Sequence, residues 1–316
     1  MSMALLFSPQ GSQSVGMGHA LAHGSPAARA TFDEADAVLG WSVSDLAWQG
    51  PEERLNDTRY TQPALFSTSL AALAALRERL ELSPAFVAGH SVGEYAALVA
   101  AGVLSFADGL RLVARRGELM RAETASGGMT AVIGLDRETV ASVVASVASP
   151  ADLVVANDNA PGQVVISGTT AAIAAAEEPL KAAGARRVLP LKVSGPFHSP
   201  SMAPVSDALA DAFEAVAWSE AAIPVVSNVT ADPETDPQRL RNLLAEQVRS
   251  PVEWVASVRR MVDAGVDTFV ECGPGNALSG MVRRIAPEAR TLNVSDPQTL
   301  AAAVDALSVE RAEASV

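Results

Sequence analysis

Gly89-His90-Ser91-Val92-Gly93 carries more chemical content than any other segment of this 316-residue chain. It matches the pattern Gly-x-Ser-x-Gly, and the match occurs once. In that pattern the serine sits on a strained turn between a strand and a helix, where side chains two positions away on either side would collide. The flanks fit. The apolar run Ala85–Gly89 reads as a buried strand, and residues 93–102 read as a helix. The start of that helix would aim free N–H groups and the positive end of its dipole at the serine. The Val92 N–H is then one donor to an oxyanion. Ser91 is the candidate nucleophile of a covalent acyl-ester chemistry.

A serine hydroxyl needs a base at neutral pH, and histidine suits the task. The chain has four: His19, His23, His90 and His198. His90 adjoins Ser91 within the turn, so its side chain is expected to project elsewhere. His19 and His23 lie in a polar stretch and read as surface residues. His198 sits in VSGPFHSPSM, a loop fixed between Pro196 and Pro200. By elimination it is the candidate base. A hydrolase order would place an Asp or Glu between serine and histidine, late in the sheet. Here Asp158, in a turn, is a poor candidate, so something other than a carboxylate is expected to orient His198.

A third residue stands out by its helical position. From Phe106 to Arg121, the residues Arg111, Arg115 and Glu118 share a polar face, whereas Arg116 aligns with Leu112, Leu119 and Met120 on an apolar stripe. A guanidinium there needs an anion or hydrogen-bonding oxygens. Two readings are open: a structural ion pair or snorkelling side chain, and a fork that holds a substrate carboxylate.

These residues need a scaffold. Short apolar runs alternate with longer amphipathic ones, the pattern of an α/β fold with a parallel sheet. Strands are expected at residues 4–8, 85–89, 223–230 and 267–272. Helices are expected at 64–80, 106–121 with a capping box from Ser105 to Asp108, 237–248, 251–264 and 276–285. Between them the rhythm changes. Residues 129–135, 153–156, 163–167 and 187–193 read as strands and 138–146 and 170–183 as helices, with NDNAPG as a turn. That order is βαββαβ, the ferredoxin-like signature. The expected organisation is therefore a large unit of residues 1–126 and 195–316 interrupted by a small one, residues 127–194.

Bulk composition narrows the function. Apolar residues make up 49% and charged residues 19%, which reads as globular. The net charge is −13, which disfavours nucleic acid and anionic membranes as partners. No apolar stretch is long enough to span a bilayer, and the first residues lack the basic region of a signal peptide. The lone Cys272 fits a reducing cytosol.

Taken together, GHSVGEYAAL, ARRGELM, NDNAPGQVVISG, VSGPFHSP, PVVSNVTA, QVRSPVEW and VECGPGNALSG, in this order, resemble the malonyl-CoA:acyl-carrier-protein transacylases and the acyltransferase domains of fatty acid and polyketide synthases. The likeness runs over about residues 4–305. It implies an α/β-hydrolase-like domain with the ferredoxin-like insertion. It implies that Ser91 carries the acyl ester, that His198 is general base and acid, and that Arg116 binds the malonyl carboxylate. It implies an oxyanion hole of the Val92 and Gln10 N–H groups, a backbone carbonyl of Gln247 orienting His198, and Asn157 and Asn159 bordering the cleft. Val92 after the serine and the pair Phe197-His198 look malonyl-like, with Phe197 filling the space of an α-methyl group. The implied partners are malonyl-CoA and an acyl carrier protein, in a ping-pong scheme with no metal or redox cofactor, by a cytoplasmic monomer. Lys181, Arg186, Arg187, Arg283 and Arg284 are candidate contacts for an acidic carrier. One departure is specific to this chain: Pro9 precedes Gln10 where the family has glycine. A thioesterase-like serine hydrolase would share Ser91 and His198 but give Arg116 no task. GPGNALSG lacks the spacing of a dinucleotide loop.

Overall fold

The computed structural model describes residues 2–123 and 127–314. Among these residues ten strands form two sheets: β1 (Met3–Phe7), β2 (Phe86–Gly89), β3 (Gly127–Ile133), β4 (Leu153–Ala160), β5 (Gln163–Thr169), β6 (Arg187–Pro190), β7 (Val225–Val226), β8 (Pro233–Glu234), β9 (Thr268–Cys272) and β10 (Arg290–Val294). The large sheet has the order β10-β9-β1-β2-β7-β8. Its first five strands are parallel, and β8 returns antiparallel on β7.

The parallel sheet follows from the uninterrupted apolar runs of β1 and β9, which are buried throughout. Side chains alternate between its faces. Leu5, Phe7 and Val87 join the core with the helix Thr58–Arg79 and the helix Phe106–Ala122. Ala4, Leu6 and Ala88 pack instead with Trp254, Val258, Leu278 and Val282 from the helices Trp254–Asp263 and Ala277–Ile285. Ser105 caps the helix Phe106–Ala122 by accepting from the Asp108 N–H at 3.0 Å, the box read from the sequence.

The small sheet has the order β4-β5-β3-β6, antiparallel throughout. With the helices Arg137–Val147 and Thr170–Ala182 it makes the expected βαββαβ unit. Val132, Val164 and Ile166 face those helices, while Met129 and Val165 face the other way, toward the large unit. The sequence boundary after residue 126 falls among residues 124–126, outside the described residues.

The elements that differ from expectation surround the join between the sheets. NDNAPG is a turn only at Pro161-Gly162, where Gly162 has a φ of +70°; Asn157–Ala160 belong to β4. These polar residues extend the strand because Asn157 pairs in parallel with Val252. The Val252 N–H donates to Ala156 O at 2.8 Å and the Asp158 N–H to Val252 O at 3.0 Å. That pairing keeps Pro251–Glu253 extended, so the helix starts at Trp254 rather than at Pro251. The strand expected over 223–230 is reduced to Val225–Val226, because the chain turns after it, with the Ala231 N–H on Ser227 O. An ion pair between Arg137 and Glu253 crosses the join at 2.6 Å. No helix among the described residues is long and apolar enough to cross a membrane.

Candidate active site

Ser91 sits between β2 and the helix Gly93–Ala100 with a φ of +53°. Bulky residues are strained there. The flanking glycines are obligatory for steric reasons. A Cβ on Gly89 would lie 1.9 Å from the Gly93 carbonyl carbon, and one on Gly93 would lie 2.2 Å from Phe7 O. The nucleophile turn is thus wedged onto the end of β1. Asn228 clamps it from the far side: its Oδ1 accepts from the Ser91 N–H at 2.7 Å and its Nδ2 donates to Gly89 O at 2.7 Å. Sequence reasoning assigned Asn228 no task, although it lies in PVVSNVTA directly after a strand.

His198 Nε2 lies 2.8 Å from Ser91 Oγ. Its Nδ1 lies 2.9 Å from Gln247 O and 3.1 Å from Ser250 O. Carbonyls only accept, so Nδ1 carries the proton and Nε2 presents a lone pair to the serine hydroxyl. The missing carboxylate is therefore replaced by two backbone carbonyls, one from the last residue of the helix Pro237–Gln247 and one from three residues beyond it. His198 also has a positive φ, +57°. Burial, then the charge of Arg116, lowers its pKa to about 3 against partial compensation from the two carbonyls. The imidazole is neutral, as a base must be.

Arg116 is 1% exposed on the expected apolar stripe with Leu112 and Met120. It donates from Nη1 to Gln62 Oε1 at 2.9 Å, and from Nη2 to Gln247 Oε1 and Ser91 Oγ at 3.0 Å each. Among the described residues its Nε makes no hydrogen bond within 3.5 Å, and the buried Tyr95 ring lies beside the guanidinium, its centroid 5.7 Å from Cζ. The structural ion-pair reading fails here: its direct partners are neutral oxygens, and among the described residues no carboxylate bonds it. A positive charge in a dry site thus lies against the nucleophile oxygen. Glu94 reaches it through Gln247. Burial raises the Glu94 pKa to about 7, against the opposing bonds from Gln247 and Asn228 and the charge of Arg116.

The cleft in front of Ser91 is a cavity of about 480 Å³ between the two sheets. Gln10, Asn157, Asn159 and Phe197 all line it, as the resemblance implied. His90 lines it too, with its ring turned away from Ser91, as read from the sequence. The turn swings His90 toward β4, where its Nε2 meets Asn159 Oδ1 at 2.7 Å, and burial lowers its pKa to about 4. His19 and His23 are exposed, as read. Among the described residues, neither the Gln10 nor the Val92 N–H donates to a protein acceptor, the state required of oxyanion donors. Pro9 is accommodated because Ser8 anchors the base of the loop. Its hydroxyl donates to Pro274 O at 3.3 Å, and Glu271 Oε1 lies 3.5 Å away. The Gln10 side chain donates to Thr58 Oγ1 at 3.2 Å.

The basic candidates for carrier contact divide. Lys181 is occupied by Glu177 and Glu178 at 2.8 and 2.9 Å. Arg284 is exposed but bridges to Gln163 Oε1 at 2.7 Å and to Pro161 O. Arg283 donates to Thr291 at 2.9 Å, and Arg186 and Arg187 are exposed beside β3.

Comparison with known proteins agrees with this geometry. The model of the acyl transferase domain family matches residues 4–299. The malonyl CoA-acyl carrier protein transacylase of Bacillus subtilis (strain 168) is 44% identical over 311 residues, 98% of each chain. The acyl carrier protein S-malonyltransferase of Vibrio cholerae O1 biovar eltor superposes with a TM-score of 0.93 at 40% identity, over 96% of this chain and all of that one. A malonyl-transacylase solved in complex with its type II PKS acyl-carrier protein gives 0.94 at 40% identity, over 96% and 99%. The chain belongs to the acyl transferase domain family.

Proposed function

We propose that this chain moves a malonyl group from malonyl-CoA to the phosphopantetheine thiol of an acyl carrier protein, through an ester on Ser91. The observation that carries this reading is the buried charge of Arg116, held by neutral partners 3.0 Å from Ser91 Oγ. A serine hydrolase would use the same dyad and leave that charge without a task. Relatives that are malonyl transacylases over nearly their full length support the same choice.

The chemistry follows from the contacts. His198 Nε2 takes the Ser91 proton as Oγ attacks the thioester carbonyl. The oxyanion forms against the Val92 and Gln10 N–H groups, each such donor being worth about 10²–10³ in rate. Collapse expels the CoA sulfur, which leaves with the proton from His198. The malonyl carboxylate lies on Arg116. That pairing offsets the Arg116 charge, the second cause after burial that holds His198 down, so the histidine becomes more basic in the acyl-enzyme. The carrier thiol then gives its proton to Nε2, the sulfur attacks the ester, and Ser91 Oγ leaves with that proton. Phe197 crowds the α-carbon, a contact worth about 1–3 kcal/mol against a methyl branch. Ser91, His198, Arg116, Val92 and Gln10 fill every role, so this reading calls for no metal or redox cofactor. The buried thiol of Cys272 fits a reducing cytosol.

Intact mass spectrometry after mixing with malonyl-CoA tests the proposal. A malonyl adduct forms on Ser91, is absent in Ser91→Ala, and passes to holo carrier protein. Rapid loss of the adduct to water with no carrier present would establish a hydrolase instead.

A further inference from the structure

Glu94 follows the nucleophile by three positions and is 1% exposed. Acidic side chains are almost never buried so fully without a cationic partner. Among the described residues, no lysine or arginine bonds it. Its Oε2 instead accepts from Gln247 Nε2 at 2.8 Å and from the Asn228 N–H at 3.2 Å. Both partners hold the site. Asn228 clamps the nucleophile turn. Gln247 donates to Ser91 O at 2.9 Å and accepts from Arg116 Nη2 at 3.0 Å.

A primary amide has a donor end and an acceptor end, and its own chemistry does not say which end faces Arg116. The Glu94 oxygen that accepts from it, together with Ser91 O, settles it. It draws the Gln247 NH2 group to itself and so turns Oε1 toward the guanidinium. Reversed, the amide would set an NH2 group against Arg116 and forfeit the bonds to Glu94 and Ser91. The interposed amide has a second effect. A carboxylate in direct contact would occupy the guanidinium fork; one amide removed, Glu94 leaves the Nη groups of Arg116 to neutral amide oxygens.

We propose that Glu94 is a positioning residue that sets acyl selectivity. By fixing the Gln247 amide, it holds Arg116 where a substrate carboxylate meets it. Glu94 does not line the cleft. The inference rests on the carboxylate-binding reading of Arg116.

The test compares loading of Ser91 from malonyl-CoA and from acetyl-CoA in Glu94→Met and Glu94→Gln. Methionine fills similar space without an acceptor. Glutamine keeps an acceptor for both donors and removes the charge. The malonyl-to-acetyl ratio of kcat/KM in Glu94→Met falls by at least about tenfold, the scale of one misplaced charge-assisted contact. In Glu94→Gln it stays within about threefold of the parent, because the hydrogen-bond geometry survives. A purely structural role lowers both substrates together and leaves the ratio alone. An unchanged ratio in folded Glu94→Met overturns the proposal, and so does an equal collapse in Glu94→Gln, which would make charge rather than amide orientation the cause. If Glu94→Met does not fold, Gln247→Met decides. It removes the amide oxygen from Arg116 while keeping the backbone carbonyl on His198, and a parental ratio there also overturns the proposal. If the parent chain takes no malonyl group at all, the function proposed above fails, and that outcome is separate from these.

Discussion

At the scale of single residues, charge in a dry site governs what each group can do. Arg116 discriminates because its guanidinium has no direct anionic partner of its own. In Arg116→Ala, malonyl loading of Ser91 falls by about 100-fold or more while acetyl loading falls far less, on the usual scale of a buried charge-assisted contact. Equal losses in the two rates, measured by intact mass, would remove the carboxylate role. His198 gives a pH prediction. Its folded pKa of about 3 lies below the ordinary 6.5, so the fold accommodates the neutral ring. Its contribution to stability is fully present above about pH 6.5 and is lost as pH falls toward about 3. His90, lowered to about 4, acts in the same sense. Glu94, raised from 4.5 to about 7, acts in the opposite one: its contribution is present below 4.5 and lost as pH rises through 7. The thermal midpoint therefore drops with acid below pH 6.5, and the drop is shallower in His198→Gln, by calorimetry between pH 4.5 and 7. The acid limb of malonyl loading likewise lies well below pH 6.5; a limb centred at an ordinary histidine value would count against a depressed base.

At the scale of elements, the nucleophile turn was legible because sterics write themselves into glycine spacing. Gly93→Ala drives a methyl group into Phe7 O and costs about 3 kcal/mol or more. Chemical denaturation measures it, and a loss below 1 kcal/mol would mean that the turn is looser than its contacts. Arg116 was legible because helical period separated it from its polar neighbours, and the Ser105 cap because its box is local. Two things were not. Asn157–Ala160 read as a turn because Asn, Asp and Pro favour turns, whereas a distant partner, Val252, extends them. Glu94 and Asn228 stayed silent because their importance is a matter of burial against segments far away in the chain.

At the scale of the whole molecule, the two sheets meet at a seam that also serves the base. Val252 pairs with β4, and Ser250, two residues earlier, gives its carbonyl to His198. The small unit therefore holds the histidine as well as one wall of the cleft. Arg137, on the small unit, fastens the same segment through Glu253. In Arg137→Ala, stability falls by about 1 kcal/mol, as for a partly exposed pair. Loading from malonyl-CoA and acetyl-CoA slows together, several-fold, because the base rather than the arginine is loosened. A shift in the malonyl-to-acetyl ratio in that variant would place the coupling elsewhere. This pairwise contrast with Glu94 separates the two networks by experiment.

Among the described residues, Ser91, His198 and Ala231 are the only non-glycine residues with a left-handed backbone, and two of those three are the reacting pair. Such a backbone costs an ordinary residue about 1–2 kcal/mol. Glycine at either position would relieve that strain and end the chemistry. Variants chosen for heat resistance alone would therefore accumulate lesions at the dyad first, and any stabilisation campaign on this scaffold has to screen for turnover at every round.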